Sequence, residues 1–319
     1  IYMTKYIAKK IAISVFLIFL VSLLTFMVMQ LLPGDPATIA LGDSATAEEI
    51  QAYRDEYGLN DPLLVQYWNW ITNIVLHGNF GKSILNARDV TAFINERLPN
   101  SISIGLPGLI FGVIFGLLIG VLSAVKRGTW IDQVLTFLVN LFLGSPRFLI
   151  AIFGVIILGL EFKIIPLQGY VAPWVDFGRY CYHAFWPVVV NAIYTVAILA
   201  RQTRSNMLEV INQDYIRTAR ANGLSEGRVI LRHTLKNALI PVITIIGLQM
   251  RNIVAGAVVI ENIFNIPGVG QMLLNGIMQR DYFMAMACVL VISAMTIFCN
   301  LFVDLAYGFI DPRVRKSMR

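Results

Sequence analysis

Six stretches of this chain are each apolar over about twenty residues or more, the length that carries an α-helix through a hydrocarbon layer. They run over 9–31, 100–123, 131–160, 183–204, 237–262 and 281–308. Inside lipid a helix satisfies its own backbone N–H and C=O groups, so these runs predict an all-α membrane protein with six transmembrane helices. Charge supports this: Asp, Glu, Lys and Arg make up 14% of the 319 residues, against about 25% in a soluble domain. The first run follows Lys5, Lys9 and Lys10 but is too long for a signal peptide and lacks a small-residue cleavage site. It reads as a retained helix.

The Lys and Arg distribution sets the orientation. The amino terminus, Lys126 with Arg127, the 201–236 region (Arg201, Arg204, Arg217, Arg220, Arg228, Arg232, Lys236) and the tail (Arg313, Arg315, Lys316, Arg319) share one side. The opposite side carries 33–98, with nine acidic residues against four basic ones, and the loops near 161–182 and 263–280. Both termini are therefore read as cytoplasmic. The chain divides into 1–32 (amino terminus and first helix), 33–98 (external helical segment), 99–310 (transmembrane core with a cytoplasmic loop at 205–236) and 311–319 (tail). The formal net charge is +6, but the basic residues flank apolar spans and no nucleic-acid-binding signature appears.

Local signals refine this outline. Thr46 with Glu49 has the spacing of a capping box for a helix over 47–57, and Asp61 before Pro62 reads as the cap and first turn of another. That second helix carries Tyr67, Trp68 and Trp70, aromatics suited to a membrane boundary, and is expected to lie on the outer surface. "GSP" at Gly144–Pro146 should bend the third span. Gly108, Gly112, Gly116 and Gly120 recur every fourth residue, a pattern that lets helices pack closely. Arg251 falls midway along the fifth span, where an ionisable group costs about 2.5–3.5 kcal/mol and marks a candidate translocation path or a paired structural charge. Glu261 and Asp304 read as boundary residues.

Catalytic and metal chemistry find no footing. "GNFGKS" at 78–83 ends like a phosphate-binding loop, but Leu76 stands where that motif needs glycine. Cys181, Cys288 and Cys299 form no CxxC, and His77, His183 and His233 are scattered, so neither a disulfide framework nor a metal site is expected. No catalytic residue is assigned.

The stretch "DYIRTARANGLSEGRVILRHTLKNALIP", Asp214–Pro241, is basic and hinged. Asn206–Asn222 reads as one helix closed by Gly223 in the left-handed conformation, with Ser225 capping the next. Ala219, Ala221 and Gly223 give one arm a small surface, beside Tyr215, whose backbone another protein's groove could approach. A basic connector on anionic lipid explains the charge but not that face.

This stretch resembles the coupling loop of bacterial ABC importer permeases. Arg217, Thr218 and Ala219 occupy the positions of that family's Glu-Ala-Ala triplet, and Gly223 matches its glycine. The missing Glu, and Lys236 where the general form has proline, are departures shared with the permeases for dipeptides, oligopeptides and nickel. "LLPGDP" (31–36), "YGLNDPLLVQYWNW" (57–70), "GNFGKSI" (78–84), "VVIENIFNIPGVG" (258–270), "RDY" (280–282) and "NLFVDLAYGFIDPRVR" (300–315) resemble that subfamily in the same order. The resemblance covers essentially the whole chain and fits the first permease of a pair.

It implies the type I ABC importer permease fold in a bacterial cytoplasmic membrane. The implied partners are a second homologous permease, two ATP-binding subunits and an external solute-binding protein. No cofactor would be bound by this chain; ATP with magnesium would be used by the partners. Tyr215, Arg217, Thr218, Ala219, Ala221 and Gly223 would couple ATPase motion to the spans, and import of di- or oligopeptides would follow by alternating access. Nickel, a metal chelate or glutathione are alternative solutes. An ion-gradient-driven secondary transporter is the different-class alternative, but paired broken helices in repeated halves are not evident. A membrane sensor would need an output domain.

Overall fold

The computed structural model describes residues 2–31, 34–42 and 44–310, and these are mainly helical, with one isolated backbone bridge between Lys82 and Asp89. The 311–319 tail, with its four basic residues, lies outside the described residues, as do Leu32 and Pro33 of "LLPGDP". In chain order the α-helices are α1 (Tyr2–Gln30), α2 (Pro36–Leu41), α3 (Ala47–Glu56), α4 (Leu63–His77), α5 (Val90–Val125), α6 (Trp130–Gly144), α7 (Arg147–Gly154), α8 (Phe177–Val210), α9 (Asp214–Ala221), α10 (Glu226–Arg228), α11 (Leu235–Met250), α12 (Asn252–Ala255), α13 (Val258–Ile263), α14 (Val269–Met278) and α15 (Tyr282–Ile310). Four helices are long and apolar enough to cross a membrane. Two bent pairs, Trp130–Gly144 with Arg147–Glu161 (107°) and Glu226–Leu239 with Pro241–Met250 (55°), bring the spans to six if each pair is one span.

The chain forms two compact units, residues 1–101 with 267–319, and residues 102–266. In the first, α1 packs along α15. One end of that pair is pinned by Lys10 Nζ on Asp304 at 2.7 Å, with Tyr6 donating to the Asp304 carbonyl. At the other end Phe26, Tyr67, Trp70, Tyr282 and Met286 share a buried cluster. One face of α4 packs against this end of α1. Tyr67 and Trp70 are buried against α1, with the Tyr67 and Ser22 hydroxyls 2.8 Å apart, and only Trp68 of the three aromatics stays exposed. Burying two large rings outweighs leaving them at a boundary, since each removes well over 100 Å² from solvent.

The Thr46–Glu49 capping box forms in full. Asp61 does not cap α4: the N-cap is Pro62, without a side-chain bond, and the Asp61 carbonyl instead accepts from Gln66. Asp281, at the start of α15, is 1% exposed and accepts bonds from the Ser83 hydroxyl and the Ile84 and Met284 backbone N–H groups. It anchors the loop after α4 to α15.

In the second unit α5 lies flush on α8. A Cβ added at Gly108, Gly112, Gly116 or Gly120 would meet Asn191, Thr195, Leu199 or Thr203 at 2.6–2.7 Å. Both sets recur at four-residue spacing, so the glycines form a groove for one ridge of α8. Gly105 is tighter still, because its Cβ would fall 1.7 Å from the Ile253 carbonyl oxygen. Gly105→Ala is therefore expected to destabilise the chain by about 1–3 kcal/mol or more, read as a lower melting temperature in detergent. An unchanged melting temperature would show that the α5 backbone can withdraw from Ile253 freely.

The third span bends at Ser145–Pro146, as "GSP" predicts. Proline supplies no N–H and disfavours helix in the residue before it, and Ser145 is extended (φ −95°, ψ 130°). The fifth span differs from the expected 237–262. Helix begins at Glu226, passes through a π-helical turn at Val229–Thr234, and is interrupted again at Arg251 and at Gly256–Ala257.

Candidate functional site

The hinged basic stretch folds as a compact corner. α8 ends at Val210, and Ile211–Gln213 break the helix before α9 starts at Asp214. The single helix expected over Asn206–Asn222 is thus two helices. Gly223 takes φ +78°, a conformation costly for any residue with a Cβ. Ser225 occupies the N-cap of α10 without a side-chain cap bond.

A small core holds the corner. Ile216 and Val229 are fully buried and Ala219 is 7% exposed, with Ile211 and Leu224 packed around them. Ala219 therefore faces inward, not toward solvent. Tyr215, Arg217, Thr218, Ala221 and Gly223 remain exposed. Two polar links brace the corner from outside: Arg220 makes a two-pronged bond to Glu226 across the Gly223 turn (3.1 and 2.7 Å), and the Tyr215 hydroxyl accepts from the Asn237 carboxamide at 3.1 Å. Arg217 lies 3.8 Å from Asp214, a loose surface pair.

Arg220 holds the Glu226 carboxyl below its ordinary value of 4.5, and Glu226 raises the Arg220 guanidinium in return. Because the folded carboxyl is depressed, its contribution is present above its ordinary pKa and lost as pH falls through the lower folded one. Both groups are solvated, so that contribution is no more than about 1 kcal/mol. Protease nicking of the corner is expected to rise slightly in Arg220→Gln at pH 7, with the difference from wild type vanishing at strongly acidic pH. Equal nicking at pH 7 would show that the clamp holds nothing.

The spans beside the corner are tied to one another by a carboxylate that the sequence reading did not single out. Asp132, 5% exposed at the start of α6, takes two bonds from Arg204 of α8 (2.8 and 2.9 Å), one from the Gly128 N–H (3.0 Å) and others from Ser123 and Thr136. One acid thus ties together the ends of α5, α6 and α8. The available signal was an acid in the first turn of an apolar span just after Lys126–Arg127. Asn206 adds a bond to the Ala238 carbonyl (3.3 Å), and Ala124, Met207 and Ala238 pack beside it.

Arg251 lies away from this corner, exposed at the break between α11 and α12, and it makes no ion pair among the described residues. Arg147, also unremarked in the sequence, places its guanidinium 4.6 Å from the Tyr194 ring centroid. Glu261 is fully buried. Among the described residues no cluster of three or more His, Cys, Asp or Glu could hold a metal ion.

Comparison with known proteins gives consistent results over nearly the full length. Residues 112–316 match the family described as binding-protein-dependent transport system inner membrane component, and residues 3–105 match the N-terminal model of the same systems. The oligopeptide transport system permease protein AppB of Bacillus subtilis is 36% identical over 98% of this chain and 99% of its own length. The probable peptide ABC transporter permease protein y4tP of Sinorhizobium fredii is 35% identical over 98% and 100%. Among solved structures, a chain of the inward-facing MetNI methionine ABC transporter aligns with a TM-score of 0.51 at 17% identity, covering 71% of this chain and 96% of that one. This last likeness concerns the fold.

Proposed function

The chain belongs to the binding-protein-dependent transport system inner membrane component family, and from that premise we infer that it is the membrane-spanning permease subunit of a peptide importer in the bacterial cytoplasmic membrane. The names of its full-length relatives supply the peptide. ATP hydrolysis belongs to partner subunits, and solute arrives on an external binding protein.

The observation that carries the coupling role is the corner itself. A short helix with its own buried core exposes Tyr215, Arg217, Thr218, Ala221 and Gly223, and the ends of the neighbouring spans are tied together by the Asp132–Arg204 pair. Such an element can accept a displacement from a partner and pass it on as a body, which coupling between separate sites requires. We assign the exposed face to ATPase docking and Ala219 to the packing that shapes it. The other permease of the pair and the two ATPases complete the translocase. Opening would alternate between the two membrane faces as ATP binds and is hydrolysed.

The test is import by proteoliposomes holding this chain with its second permease and ATPases, supplied with the binding protein and a labelled dipeptide or tripeptide. ATP-dependent accumulation is expected. Accumulation of nickel but not peptide, or peptide uptake that persists without the ATPases, would overturn the reading. In the same assay Arg251→Met is expected to slow import several-fold at normal yield, because an exposed arginine at a helix break suits a polar route. Unchanged import would remove Arg251 from that route.

A further inference from the structure

The first unit holds an open cavity of about 350 Å³ between the outer ends of α1 and α15 and the helices that follow α1. Its volume falls in the range of small-ligand sites. Apolar side chains form part of its lining: Phe26, Trp70, Ile84 and Met286 are each 4–6% exposed.

Carboxamides also line the cavity. Asn69 and Asn73 sit one helical turn apart on α4, and their side chains make no hydrogen bond among the described residues. Gln30 lies across from them, linked loosely to Gln66 at 3.3 Å. A carboxamide is donor and acceptor at once, so it can pair with a peptide group through both N–H and C=O whatever the side chain. Glu56 and Lys82 complete the lining with opposite charges, and neither forms an ion pair among the described residues.

We propose that this cavity is a peptide-binding site on the outer side of the permease, taking an apolar side chain against the half-buried Tyr57, Leu59 and Phe283 while Asn69 and Asn73 hold the adjoining backbone. Glu56 and Lys82 favour the charged ends of a short peptide. The proposal rests on the peptide-importer reading. It adds a site on this chain itself, distinct from the solute-binding protein.

The experiment uses the complete translocase in lipid nanodiscs without the binding protein, and tritiated alanyl-phenylalanyl-alanine as probe. Saturable binding is expected, weakened at least ten-fold in Asn69→Leu/Asn73→Leu. The two asparagines are exposed, so their replacement leaves the buried cluster intact. Equal binding by wild type and double variant overturns the site. So does an absence of binding by a complex that imports the same peptide when the binding protein is added, and the importer reading then stands alone. A phospholipid retained by wild type, lost in the double variant and not displaced by the tripeptide assigns the cavity to lipid instead. Failure of both binding and import removes the importer reading with it.

Discussion

Ala221→Trp is expected to lower peptide import and peptide-stimulated ATP hydrolysis at least 100-fold while the chain inserts and melts like wild type. Ala221 ends α9 on its exposed side and supports no packing in the corner. An indole there occupies the space through which an ATPase groove would reach the α9 backbone. Protein interfaces tolerate such overfilling poorly, since their centres pack as densely as protein interiors. Ala219→Arg provides the contrast. Ala219 is packed against Ile216 and Val229, so arginine there disrupts the corner's own core and lowers its stability as well as transport. Full import by Ala221→Trp would show that α9 is not the docking element. Loss of import accompanied by loss of folding in both variants would leave the exposed face without a distinct role, contrary to the assignment.

Asp132→Ala is expected to cost about 2–3 kcal/mol. Breaking a buried ion pair from one side typically costs about 3–5 kcal/mol, because the remaining charge stays desolvated. Arg204 keeps 30% of its side-chain surface exposed, against 7% for Asp132, which brings the figure down. The loss also leaves the Gly128 N–H and the Ser123 hydroxyl without that acceptor. Thermal melting of the purified complex measures it. The double variant Asp132→Leu/Arg204→Met should recover most of the melting temperature, because neither charge is then stranded. It should not recover import if the pair also transmits force from the corner. An unchanged melting temperature in Asp132→Ala would show that water replaces the carboxylate at no cost.

The spans were legible because lipid imposes one rule on every residue of a crossing helix, and a twenty-residue apolar run satisfies it locally. The glycine series on α5 and the break at Gly144–Pro146 were legible for the same reason, since each depends on one residue type at one spacing. Side-chain direction was harder. Tyr215, Ala219 and Gly223 looked like one surface at helical spacing, but the corner folds back so that Val229, ten residues beyond Ala219, covers that alanine. Asp132 and Arg204 lie 72 residues apart, and pairing between distant helices leaves no trace in local periodicity. Within the aromatic run of α4 the same limit holds: Trp68 is exposed, whereas Tyr67 and Trp70 have Phe26 to pack on.

The seam between α5 and α8 has a mechanical consequence. Side chains can slide past one another by changing rotamers, but a glycine face has none to change. Four successive turns of α5 rest against Asn191, Thr195, Leu199 and Thr203 and leave little slack for shear or rotation about the seam. The two helices thus behave as one stiff spoke. Whatever bending the second unit undergoes during a transport cycle falls on its joints, at Ser145–Pro146, at Ile211–Gln213 and at Arg251, where the helical ladder is already interrupted.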